Sequence, residues 1–272
     1  MIDLHSHTLH SDGQRTPREL FAEAKAAGVH VLSVTDHDTV SGLAECAEAA
    51  AESGVRLVPG IELSAELHGR EVHVLGHFID PVSPALRALA NEMLAERRER
   101  MERMVRRAQD AGMKIALEQV IAHSGGENLG RPHLARALVA AGYARSVKDA
   151  FDRFLTARGT LFVDRRRLSA QASIELVHRA GGTATVAHPG ANKVSRQELA
   201  VLARLGLDAV EAFHPDHVPN QAEAFERWSA ELAMLVTAGS DFHGPQVQPG
   251  RKLGDRSLAR DRFDALEARA HR

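Results

Sequence analysis

Short β-branched runs and amphipathic helices alternate along most of this 272-residue chain. That alternation restricts it to parallel strands joined by right-handed helical crossovers. The runs read IDL, VHVLSVTD, VRLVPGIEL, EVHVLGHFI, TATVAHPG, LDAVEAFHP and LAMLVTAGSDFHG. The first helix, TPRELFAEAKAAG, carries its own punctuation, with Thr16 as N-cap, Pro17 at the first helical position and Gly28 as the stop. About seven strand–helix units predict an α/β barrel of parallel strands, whose chemistry belongs at the C-terminal strand ends. Between Pro84 and about Leu155 the pattern changes to long arginine- and alanine-rich helices with little strand signal. We read residues 83–165 as an inserted helical subdomain, a lid over the substrate, and residues 1–82 and 166–272 as the barrel. ARDRFDALEARAHR is expected to be a closing helix.

The strand ends are where the unusual residues fall. His5 and His7 follow the first strand, with Asp12 in the loop beyond; Asp36, His37 and Asp38 end the second. Glu62 follows VRLVPGI, His73 lies in EVHVLG, and His188 ends TATVA. His214 ends AVEAF, and Asp241 and His243 end LVTAGS. Within a strand, residues two apart point the same way, so His5 with His7 and Asp241 with His243 can each converge on one centre. Neutral imidazole with carboxylate is the ligand set of borderline divalent metals, and the absence of thiolate argues against a structural zinc cage. His5, His7, Asp12, His37, Glu62, His73, His188, Asp241 and His243 are too many ligands for one ion and suit two or three. Such a cluster is a hydrolytic device: it lowers the pKa of a bridging water, neutralises phosphoryl oxygens and stabilises the leaving oxygen.

Charge is unevenly spread. Between Val82 and Leu168 there are 17 Lys+Arg against 10 Asp+Glu, leaving 17 against 26 elsewhere. An acidic body suits cations and a basic segment suits an anionic substrate. For Arg97, Arg98, Arg100, Arg103, Arg106 and Arg107, interleaved with Glu96, Glu99 and Glu102, the plainer expectation is a solvated helix face. The single cysteine, Cys46, fits a reducing compartment. With no signal-peptide pattern at the N-terminus and no membrane-length apolar run, the chain reads as cytoplasmic.

HSHTLHSDG, SVTDHDTVSG, VPGIELS, EVHVLGHFID, GGTATVAHPG and AGSDFHG, in that order, resemble the PHP family of polymerase and histidinol phosphatase domains. The resemblance covers essentially the whole chain. It implies a distorted (β/α)7 TIM-like barrel holding a trinuclear centre of manganese, iron or zinc. One ion would be held by His5, His7, Glu62 and Asp241, and a second by Glu62, His73 and His188. Asp12, His37 and His243 would hold the third. His77, four residues after His73 on the same face, stands where relatives carry an apolar or small residue and competes with His73 as ligand. LGRPHLARALV, AFDRFLTARGTLFVDR and EAFHPDH further resemble stand-alone phosphoesterases that remove the 3′-phosphate from nucleoside 3′,5′-bisphosphates or trim short RNA from its 5′ end.

The same resemblance implies that Arg131, His133 and His214 line the substrate pocket, with Arg131 forking onto a phosphate and Arg158 and Arg165 contributing. His214 is the candidate general acid, because imidazole titrates near neutrality. The expected substrate is a small phosphorylated nucleotide or short oligonucleotide. With aromatics at 4%, and Phe151, Phe154 and Phe162 better suited to a core, the stacking platform for a tracked strand is small. Histidinol phosphate or another small phosphomonoester is the alternative substrate. A metal-binding module with a decayed site is the non-enzymatic alternative, opposed by the full set of ligands.

Overall fold

The protein is described by a computed structural model covering residues 1–124 and 128–270. Its strands are β1 (Ile2–Asp3), β2 (Val31–Val34), β3 (Arg56–Leu67), β4 (Arg70–His77), β5 (Leu168–Ser169), β6 (Thr183–Val186), β7 (Ala209–Phe213) and β8 (Leu235–Ala238). They pair in the order β1-β2-β3-β4-β6-β7-β8, and the short β5 lies beside β3. The barrel closes to near completeness where the chain beyond β1 meets the chain beyond β8. There the Leu4 amide donates to the Ala238 carbonyl and the His7 amide to the Phe242 carbonyl, both at 3.0 Å.

One strand departs from the expected all-parallel barrel. β4 runs antiparallel to both β3 and β6. The reason is local: only His68 and Gly69 separate β3 from β4, both at positive φ, 50° and 76°. Two left-handed residues make a hairpin, and a parallel return needs a dozen or more residues.

Helices α1 (Pro17–Ala26), α2 (Leu43–Ser53), α7 (Ala170–Arg179), α8 (Arg196–Arg204) and α9 (Pro219–Glu231) pack around the barrel, and α10 (Arg260–Ala270) closes it. At α1 the expected cap is present as a capping box, in which Thr16 and Glu19 serve each other's backbone N–H. The α1 stripe of Leu20, Phe21 and Ala24 is fully buried in the main core. Each large member of that stripe contributes about 1.5–3 kcal/mol by leaving water.

Between β4 and β5 lie α3 (Pro84–Asp110), α4 (Leu117–Ile121), α5 (Arg131–Ala140) and α6 (Val147–Ala150), followed by one π-helical turn, Phe151–Leu155. Met101, Met104, Leu134, Leu138, Leu155 and Leu161 give this stretch a hydrophobic cluster separate from that of the barrel. No helix among the described residues is long and apolar enough to cross a membrane.

Candidate metal centre

The loops at one mouth of the barrel bring the strand-end residues to a single point. His5 Nε2 lies 3.1 Å from His7 Nε2, 3.1 Å from Glu62 Oε2 and 3.3 Å from Asp241 Oδ1. His7 Nε2 is 3.2 Å from the same two carboxylates. Glu62, with no solvent exposure, turns its other oxygen to His73 Nδ1 at 2.6 Å and His188 Nε2 at 3.1 Å. On the far side His243 Nε2 lies 3.2 Å, and His37 Nε2 3.8 Å, from Asp12 Oδ1. Three sets of converging donors result: His5, His7, Glu62 and Asp241; His37, Glu62 and His73; and His7, Asp12, His37 and His243.

The donor chemistry fits divalent cations. Every converging atom is an imidazole nitrogen or a carboxylate oxygen, while the one cysteine is buried away on α2. Asp12 Oδ1 and His37 Nδ1 are buried with ion-pair contacts at 3.2 Å, to His243 and Glu62, but no well-aligned hydrogen bond, a condition that a cation would relieve.

Protonation shows how strongly the carboxylates demand positive charge. Burial opposes a proton on His7, but the carboxylates of Asp241 and Glu62 prevail and carry it up to about 10. His73, likewise pulled down by burial, is carried up to about 9 by Glu62 and Glu71. At His37 burial wins, and its pKa falls to about 3 despite Glu62 and Asp12.

A family model for the PHP domain matches residues 3–179. The chain belongs to the PHP family. Among its PHP relatives, the 5′-3′ exoribonuclease of Haemophilus influenzae is 34% identical over 92% of this chain and 93% of that protein. The 3′,5′-nucleoside bisphosphate phosphatase of Chromobacterium violaceum is 32% identical over 98% and 97%. A candidate metal-dependent phosphoesterase from Bifidobacterium adolescentis has a crystal structure that superposes with a TM-score of 0.91 at 34% identity, covering 98% of this chain and 95% of its own. The reaction class expected from the motifs, metal-dependent phosphoester hydrolysis, is the class these PHP proteins represent.

The antiparallel β4 separates the two histidines that compete for one place in a PHP centre. Register pairs Glu62 with Leu75, Ser64 with His73 and Gly60 with His77, so the two histidines flank Glu62 by two residues each, His73 toward the mouth of the barrel and His77 toward its floor. His77 points into the barrel floor, 2.9 Å from the Leu4 carbonyl, where burial lowers it to about 4. In a parallel strand the order would have been reversed.

Over the histidines sits a cavity of about 100 Å³ lined by Asp12, His37 and His73 from the barrel and by Arg97, Arg100, Arg131 and Arg165, among others, from the far side. Of the four residues expected to bind substrate, Arg131 and Arg165 line it. His133 is buried at the start of α5, with Nδ1 accepting from the Gly130 amide at 3.0 Å, and Arg158 is exposed; neither is part of the lining. His214 is buried beside Asp241, its Nε2 3.4 Å from Asp241 Oδ2, and its Nδ1 accepts from the Asp216 amide.

Arg97 and Arg100 correct the expectation of a solvated α3 face, at 6% and 4% exposure. Arg97 pairs with Asp38, and Arg100 Nε donates to the Val163 carbonyl at 2.7 Å. Their signal was present in the sequence: both lie on the stripe of Met93, Met101 and Met104, where a solvated arginine does not belong.

Glu211 was missed altogether. Fully buried on β7, it accepts from His5 Nδ1 at 2.9 Å and from the His188 amide at 2.7 Å. It fixes which nitrogen of His5 faces the centre. His188 and Asp241 hold left-handed backbones, φ 28° and 51°, a strain of about 1–3 kcal/mol each of the kind stored at functional sites.

Proposed function

We propose that this PHP protein hydrolyses phosphate esters of small nucleotides, removing the 3′-phosphate of nucleoside 3′,5′-bisphosphates and acting also on the 5′ end of short RNA. The observation that carries this reading is a pair of guanidiniums, Arg100 buried and Arg131 half-buried. Among the described residues, Arg100 and Arg131 have no carboxylate within ion-pair distance, although both line the cavity over the histidines. Burial and the neighbouring arginines pull Arg100 down to about 9. Arg131 is lowered by burial, with Arg165 and Arg167 adding to the effect against Glu71. Neither guanidinium has a carboxylate in contact, only Glu96 and Glu71 at longer range, and a second phosphate supplies a direct partner.

Ions of manganese, iron or zinc would be held by His5, His7, Glu62 and Asp241; by Glu62, His73 and His188; and by Asp12, His37 and His243, with Glu62 shared. Held there, they supply Lewis acidity, activating water and neutralising phosphoryl charge. The chain's own residues do the rest. Glu211 orients His5 through Nδ1, and Asn192 Nδ2 meets His188 Nδ1 at 3.2 Å, leaving Nε2 for the centre. Arg131 and Arg100 grip the phosphate that does not react. Arg165, tied to Glu71 at 2.6 Å, keeps the cavity wall positive. His214, whose Nε2 faces Asp241 Oδ2 at 3.4 Å, acts as general acid toward the leaving ribose oxygen.

The test is phosphate release by the Mn²⁺-loaded protein from adenosine 3′,5′-bisphosphate, with AMP and histidinol phosphate in parallel. Strong preference for the bisphosphate, lost in His5→Ala, supports the reading. Equal turnover of all three would reduce the arginines to scaffold and the substrate to any small phosphomonoester.

A further inference from the structure

The two sides of the centre are held by different parts of the chain. On one side the supports come from the barrel itself: Glu211 holds His5 and the His188 amide, and the Asp241 amide donates to the His5 carbonyl at 2.8 Å. On the other side the supports cross over from residues 83–165. Arg136 on α5 donates from Nη2 to the Asp12 carbonyl at 2.7 Å, while its Nη1 is anchored on the His123 carbonyl at 2.9 Å. Asn128 donates from Nδ2 to the His37 carbonyl at 2.6 Å. Arg97 binds the carboxylate of Asp38, the residue next to His37.

Asp12 sits in a turn, and His37 lies beyond the end of β2, held to the sheet by a single isolated bridge to Glu62, so these contacts fix backbone that the strand ladders hold sparsely or not at all. The Arg136 Nη2 and Asn128 contacts each satisfy a carbonyl belonging to a candidate ligand residue. His5, His7 and Glu62 receive none from this part of the chain among the contacts described.

We infer that Arg136 and Asn128 are positioning residues for the ion group Asp12, His37 and His243, so that the helical insertion sets the affinity of that ion and not of the others. The inference rests on the ligand assignment proposed above. A ligand displaced by a fraction of an ångström loses coordination geometry, and partners that orient ligands from outside are worth about 10–100-fold in metal affinity. The helical segment would then do two things with one body, gripping the substrate through Arg100 and Arg131 and completing the centre through Arg136 and Asn128.

The experiment is a chelator titration of Mn²⁺-loaded protein, following ions retained per chain, with the fold checked by circular dichroism. The variants are Arg136→Gln, Asn128→Ala and His243→Ala. The release step altered in His243→Ala marks the ion in question. In Arg136→Gln and Asn128→Ala that same step is expected at about 10-fold lower chelator or less, with the remaining steps at their wild-type positions. Wild-type profiles in both variants, or a shift of every step together, would overturn the inference. Should Arg136→Gln fail to fold, Asn128→Ala decides alone, because its contact with the His37 carbonyl is independent. A His243→Ala protein that releases its ions as wild type does would show the ligand assignment itself to be wrong, and the inference would fall with it.

Discussion

A guanidinium taken out of water without a carboxylate contact is held at a cost, which the buried Arg100 carries in full and the half-buried Arg131 in part, beside the candidate metal centre. A charge-assisted contact to phosphate is worth about 1.5–3 kcal/mol. Arg131→Met is therefore expected to raise KM for adenosine 3′,5′-bisphosphate at least 10-fold while leaving AMP turnover nearly unchanged, as steady-state kinetics on both would show. An equal loss on AMP would place the guanidinium on the reacting phosphate instead. His214 poses a different question, since its Nε2 faces Asp241 at 3.4 Å. His214→Gln keeps an N–H for that carboxylate but has no proton to give. A fall in kcat of about 100-fold or more, with ion content unchanged, is the outcome expected of a general acid. If ions are lost and the rate recovers in excess Mn²⁺, His214 is a support for Asp241.

At the scale of the elements, the seam between β1 and β8 is the most exacting junction. A Cβ at Gly239 would lie 2.3 Å from His5 Cβ and 2.9 Å from Glu211 Oε1, so only glycine lets the end of β8 approach the first ligand strand. Gly239→Ala should destabilise the protein by about 1–3 kcal/mol through overpacking and weaken ion binding at His5. Denaturant unfolding and ion content would test both effects, and an unaltered midpoint would mean that the seam yields more easily than its spacing suggests. The β3–β4 hairpin shows where reading by pattern failed. Residues 71–79 have the composition of any strand, and direction is not written in composition. It was written in the turn, where two residues between the runs leave no room for a crossover. Helix α3 failed in another way, because a run of alternating arginine and glutamate looks solvated until its apolar stripe is drawn and Arg97 and Arg100 fall on it.

The molecule as a whole balances a pocket of carboxylates with imidazoles, and protons and cations must compete for the same atoms. His7 and His73, carried up to about 10 and about 9, stabilise the metal-free fold fully below their unfolded pKa near 6.5; that contribution is lost as pH rises toward 9–10. His37, His77 and His133, lowered to about 3, 4 and 4, are neutral in the fold, so their contribution is present above about 6.5 and lost as pH falls toward 4. The metal-free protein should therefore melt highest near pH 6.5 and lower on either side. Mn²⁺ should remove the alkaline decline and release protons on binding, seen as a buffer-dependent calorimetric enthalpy. A binding enthalpy independent of the buffer would contradict this. The sequence by itself determined the α/β barrel class, the helical segment after β4 and the set of residues to be gathered, because periodicity and strand-end position are local and survive in one dimension. Only the tertiary structure decided that His73 and not His77 meets Glu62, that Glu211 steadies His5 from 206 positions away, and that two arginines of a charged helix face inward. Those choices depend on which surfaces meet through space, and contacts between distant segments leave no period in the sequence to read.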